Sequence, residues 1–138
     1  MAEPIDRREL ANYKDLLADY QPGLDAIATL ERNGGDWAAG VDELWAESNA
    51  PASFGRGRKL WETVLRVLRQ ELCGDEGFRA QVKEYKKQPN SATLLTGLVV
   101  SLTASAGLPI DPAISTIVVL YIVKFGLDVF CEYTEPTT

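Results

Sequence analysis

Carboxylates crowd residues 1–50 of this chain, and paired carboxylates can do acid–base work without a cofactor. The candidates are Asp15, Asp19, Asp42, Glu43 and Glu47. Their spacing places them mostly on the polar sides of amphipathic helices. A solvated face accounts for them there, because charged side chains are rarely buried unless paired. The chain has no histidine. That removes the commonest general base, the usual metal ligand and every nucleophile–histidine arrangement. It also removes the Glu-x-x-His pairs typical of di-metal helical bundles. Cys73 and Cys131 stand far apart with no C-x-x-C, and two isolated cysteines do not make a structural zinc site. A bond between them is open to the chain, although nothing resembles a secreted disulfide framework. Each falls at the end of an apolar helical stretch, where a free buried thiol is the expectation. "FGRGRK", at 54–59, has the glycines and cations of a phosphate loop without the GxxxxGK[ST] spacing or a preceding strand, so it reads as a loop. The residues point away from an enzyme and imply no metal and no cofactor.

A second kind of chemistry lies in the distribution of charge. Residues 1–55 carry a balance of −7, residues 56–87 one of +4 and residues 88–138 one of −3, for a net charge of −6. The basic middle consists of Arg56, Arg58, Lys59, Arg66, Arg69, Arg79, Lys83, Lys86 and Lys87. Such a surface can meet phosphates, an anionic lipid surface or an acidic protein. Glu62, Glu71 and Glu84 interrupt it and the whole chain is acidic, which argues against nucleic acid and for a protein partner, a second copy, or the chain's own acidic helices.

These residues need elements to position them. Leu10, Tyr13, Leu17 and Tyr20 recur at helical spacing, and Asp6 with Glu9 gives the D-x-x-E pattern of a helix start. Pro22 opens a second helix with Leu24, Ile27, Ala28 and Leu30 on its apolar side, and "NGG" at 33–35 stops it. Asp36 caps a third, striped by Trp37, Val41, Leu44 and Trp45. After the loop "NAPASFGRGR", Leu60, Trp61, Val64, Leu65, Leu68 and Leu72 form the clearest amphipathic face. Phe78, Val82 and Tyr85 form the next, which ends at Pro89.

Beyond Pro89 the pattern changes. No charged residue occurs from Ser91 to Gly107. Asn90 or Ser91 can cap this helix, Asp111 and Pro112 start the last one, and the last runs to about Tyr133. The runs "GLVVSL" and "STIVVLYIV" favour sheets by composition. Each nevertheless lies inside a segment bounded by helix start and stop signals, and nothing else in the chain offers partner strands. The final helix is apolar around nearly its whole circumference, which suits either a membrane span or the centre of a bundle.

The expectation is an all-α fold: a compact bundle of about six or seven helices, one domain over 1–138, with a C-terminal apolar hairpin at its centre. It would be ordered as acidic helices at 1–55, basic helices at 56–89 and the hairpin at 90–133. Lys124 and Asp128, one turn apart, would mark the hairpin's solvent face, whereas in a bilayer Lys124 would have to snorkel and pair with Asp128. The leading expectation for function is a non-catalytic interaction module, binding a protein partner or itself through the basic 56–87 surface or an apolar patch. The alternative is a membrane-active protein whose masked hairpin inserts through Leu98, Val99, Val100, Leu102, Ile117, Val118, Val119, Leu120, Ile122 and Val123. In architecture alone this resembles pore-forming toxins and apoptosis-regulating bundle proteins, and no motif carries the likeness. A third reading is a small-ligand pocket lined by Trp37, Trp45 and Trp61, weighed against these three as core anchors. The N-terminus lacks a basic-then-apolar signal pattern, so the expected location is cytoplasmic, with peripheral or inducible membrane association.

Overall fold

A computed structural model describes residues 3–49, 58–74, 76–105 and 112–133. The described residues form α1 (Arg7–Leu16), α2 (Gln21–Arg32), α3 (Trp37–Asn49), α4 (Arg58–Leu72), α5 (Glu76–Lys87), α6 (Ala92–Ser105), α7 (Pro112–Phe125) and α8 (Leu127–Tyr133). No strand occurs among them, so the fold is all-α. The β-favouring runs at 97–102 and 115–123 are both helical.

Local sequence accounts for most of the boundaries. Asp6 Oδ1 accepts a hydrogen bond from the Glu9 backbone N–H at 2.8 Å, and Glu9 Oε1 accepts from that of Asp6 at 3.2 Å, a reciprocal cap on α1. Asp36 Oδ1 accepts from Ala39 N–H at 3.0 Å at the start of α3. Ser91 Oγ accepts from Leu94 N–H at 3.1 Å at the start of α6, which makes Ser91 rather than Asn90 the side-chain cap. The cap expected at Asp111 lies outside the described residues. Between α2 and α3, Gly34 and Gly35 have φ of 65° and 81°, a region that side chains disfavour. Gly35 also receives the N-terminal segment: Ile5 N–H donates to its carbonyl at 3.1 Å. A Cβ at Gly35 would stand 2.0 Å from the Ile5 carbonyl oxygen.

The amphipathic stripes point inward as their spacing requires. Leu10, Tyr13 and Leu17, then Ile27 and Leu30, Trp37, Val41 and Leu44, Trp61, Val64, Leu65, Leu68 and Leu72, and Phe78, Val82 and Tyr85 all contribute to one buried apolar cluster. Leu60, expected in the α4 stripe, has a side chain outside the described residues. Ile5 is buried as well, although it precedes the first helix. Every residue from Ala113 to Ile122 of α7 is buried, and α7 packs against α2, α3 and α6. A helix apolar on all sides is stable in water only with neighbours on all sides. Tyr121 of α7 gathers rings from α3, α4 and α8 and one from its own helix. Its centroid lies 5.4 Å from Trp37, 5.3 Å from Trp61, 4.9 Å from Phe125 and 6.4 Å from Phe130.

Two expectations are corrected, and Lys124 has a partner remote in the chain. The final helix does not run unbroken to Tyr133: Gly126, with φ of 94°, divides it into α7 and α8, and the described helices number eight. The cysteines are not free: Cys73, after α4, is bonded to Cys131 in α8, with Cα atoms 5.9 Å apart. That spacing lies inside the window a disulfide requires. The Asp128 side chain lies outside the described residues, so its relation to Lys124 is not described, and Lys124 has another partner. Its Nζ donates to both carboxylate oxygens of Glu9, each at 2.9 Å, and so ties α7 to α1.

Candidate functional site

The basic surface rests on α4 and α5, and its cations fall into three groups. Lys83, Lys86 and Lys87 on α5 and Arg66 on α4 are exposed. Arg69 and Arg79 are partly buried and face the backbone around the disulfide. Arg69 Nε donates to the Cys131 carbonyl at 3.3 Å and Arg79 Nη2 to the Cys73 carbonyl at 3.4 Å. Arg56 and the side chains of Arg58 and Lys59 lie outside the described residues. Among the described side chains, the basic residues thus comprise an exposed lysine face on α5, exposed Arg66 on α4 and two arginines engaged with the backbone of the cystine. Lys86 reaches toward the other end of α8, where its Nζ lies 3.5 Å from the position a Cβ would take at Gly126.

Beside α5 lies α6, and the two helices pack together. Leu95, Leu98, Val99 and Leu102 of α6 are buried, whereas Val100 is 52% exposed. Ala92, Thr93 and Ala104 are exposed as well. A Cβ on Gly97 would meet no atom within 4 Å, so this glycine is not required by packing inside the chain. The outer side of α6 is thus uncharged and built of small residues.

The membrane-insertion candidates separate by burial. Leu98, Val99, Leu102, Ile117, Val118, Val119, Leu120 and Ile122 are in the core, Val123 is partly buried and Val100 faces outward. Among the described residues no helix is long and apolar enough to cross a membrane. The 14 residues of α7 extend ~21 Å at the α-helical rise, against a hydrocarbon thickness of ~30 Å.

The acidic candidates differ in their surroundings. Asp15, Asp19 and Glu47 are exposed. Glu43 of α3 is ion-paired with Arg32 of α2 and accepts from Asn33 Nδ2 at 3.0 Å. The Arg32 hydrogen bond, and then that of Asn33, hold the Glu43 carboxyl below its ordinary range. Among the described residues no group of three or more acidic or cysteine side chains is placed to hold a metal ion. Burial, and then the charge of Tyr13, push the Tyr85 hydroxyl up to about 12. That hydroxyl donates to the Pro89 carbonyl at 2.9 Å and holds the turn into α6. Among the described residues, one surface cleft of about 680 Å³ is lined by Ile5, Asp6, Arg7, Leu10, Glu31 and the glycine turn, and another of about 320 Å³ by Asp25, Thr29, Arg32, Leu44, Glu47 and others. Neither includes Trp37, Trp45 or Trp61, which pack in or against the core.

The α5 lysines and the charge-free stretch of α6 are legible in the sequence because both are local patterns. The Glu9–Lys124 contact and the cystine are not, since they join positions 115 and 58 apart. Compared with protein-family models, curated proteins and solved structures, the chain matches none.

Proposed function

We propose that this protein is a non-catalytic helical interaction module, folded as one unit around α7 and its apolar partner α6. It binds an acidic helical protein surface, in another protein or in a second copy, through α5 and the outer side of α6. The observation that carries this reading is Val100, half exposed on a helix without charge, beside a helix that presents Lys83, Lys86 and Lys87 to solvent. Small outward residues let a partner helix approach closely. Flanking cations steer an acidic partner and exclude a basic one. The chain's own residues 1–55, with their balance of −7, have the charge such a surface would select in a second copy.

Mass in solution across a salt series, together with capture of acidic helical proteins, tests the proposal. Association should weaken as salt rises and should be lost in Val100→Asp, an exposed position where the fold survives. A chain that stays monomeric at all salt concentrations and binds no protein would overturn it.

A second reading keeps the apolar character of α6 and α7 in view: the two helices leave the bundle and enter an anionic bilayer. It is favoured by a helix apolar on all its faces, and opposed by the length of both helices and by the contacts α7 makes with α2 and α3. Vesicle flotation and dye release at neutral and acidic pH separate the two readings, because the module proposed first releases no dye.

A further inference from the structure

The bond between Cys73 and Cys131 holds a small element. α8 has 7 residues, too few for a helix to persist alone in water. Gly126, at φ 94°, interrupts the chain between α7 and α8, and among the described residues α7 is the helix that lies most extensively against α8. Among the described side chains of α8, Leu127 and Phe130 are the ones buried in the core. Phe130 lies edge-on to Tyr121 at 6.4 Å and closes one side of the aromatic cluster that also contains Trp61. Both half-cystine residues are partly exposed and pack at the margin of the core. Arg79 and Arg69 donate to the backbone carbonyls of Cys73 and Cys131, which sets two cations beside the backbone of the half-cystines.

We infer that Cys73–Cys131 is a redox latch on α8. Oxidised, it pins α8 over Tyr121; reduced, α8 opens about Gly126, withdraws Phe130 and uncovers the aromatic cluster. The chemistry is ordinary thiol–disulfide exchange. A thiolate of a small thiol such as glutathione, or of a dithiol protein, attacks one Sγ. The Sγ–Sγ bond breaks and its electron pair leaves with the other sulfur, which takes a proton. A second thiol of the reductant then resolves the mixed disulfide. In sum the cystine gains two electrons and two protons, and the reductant leaves as its own disulfide. Opening is local because the seven residues are too short to hold as a helix alone and are hinged at one end. α7 keeps its contacts with α2, α3 and α6 in either state.

Hydrogen exchange read by mass spectrometry on the intact chain, oxidised and after reduction by a phosphine, tests the latch. Exchange over residues 127–133 should rise about 10-fold or more on reduction while α2, α3 and α7 change little, as expected of local opening. Unchanged exchange over 127–133 would overturn the inference. So would acceleration spread evenly over all helices, which would make the bond a general staple. Cys131→Ser should exchange like the reduced chain and ignore the phosphine. If that variant does not fold, reduction of the native chain still decides the matter. Equilibration with glutathione mixtures, followed by alkylation and mass, supplies the remaining arm. A cystine that stays intact in the folded chain at every ratio would sink its use as a switch.

Discussion

Glu9 serves two contacts with one carboxylate. It accepts from the Asp6 N–H to complete the cap of α1 and from Lys124 Nζ to join α1 to α7. The ammonium is only 15% exposed at the side chain and lies 5.4 Å from the centroid of the Phe125 ring, so its partner matters more than that of a surface lysine. Lys124→Met should lower stability by about 1–2 kcal/mol, measured by urea unfolding, since a hydrogen bond to a charged group is lost. Glu9→Gln keeps a capping acceptor at the same position and isolates the ion pair from the cap. The two substitutions together should cost little more than either alone. A titration effect belongs to the same scale. The Tyr85 hydroxyl is raised from 10 to about 12 by burial and by Tyr13, so the neutral phenol is favoured in the folded chain. Its contribution is complete below pH 10 and is lost as pH rises through 10 to about 12. Alkaline unfolding, followed by circular dichroism, should therefore be less steep over that interval in Tyr85→Phe. The D-x-x-E cap is legible in the sequence because its partners are three residues apart. The sequence sets Lys124 beside Asp128 because it offers only neighbours along the helix, and Glu9 becomes a neighbour only after folding.

At the scale of elements, the turn between α2 and α3 combines two constraints that the sequence shows as one. "NGG" reads as a stop, yet its glycines do different work. Gly34 has φ 65° and open space where a Cβ would stand, whereas Gly35 has φ 81° and the Ile5 carbonyl oxygen 2.0 Å from that position. Gly34→Ala should cost about 1 kcal/mol from backbone conformation alone. Gly35→Ala should cost at least about 2 kcal/mol, because it also displaces the N-terminal segment. Denaturant midpoints measure both. Loss of that docking should also change Trp37 fluorescence, since Trp37 Nε1 donates to the Glu3 carbonyl at 2.8 Å. Helix starts are legible at Asp6, Pro22, Asp36 and Ser91, where a side chain or ring acts on its own first turn. The break at Gly126 escapes the pattern because apolar residues continue through Leu127 and Phe130 on the far side of it. Periodicity records which residues are apolar and carries no record of a change in direction between two helices with the same composition.

At the scale of the molecule, burial separates valines that composition treats alike. Val119 is 0% exposed and Val100 is 52% exposed. Val119→Asp should unfold the chain or cost more than about 4 kcal/mol, because an unpaired carboxylate would enter the core. Val100→Asp should change stability by no more than about 0.5 kcal/mol. Thermal melts by circular dichroism distinguish them. The amino-acid order by itself determined that the chain is helical, where most helices begin, which faces turn inward, that a lysine-bearing α5 precedes an uncharged α6, and that the last long helix must be kept from water by protein or by lipid. All of these depend on interactions within about two helical turns, or on apolar area that must leave water wherever it can. Tertiary structure alone decided that Cys73 meets Cys131, that Lys124 meets Glu9, that Arg69 and Arg79 turn toward the cystine backbone, and that α6 keeps one side open. Each of these depends on distances between residues remote in the chain, and such distances are set only when the helices pack against one another.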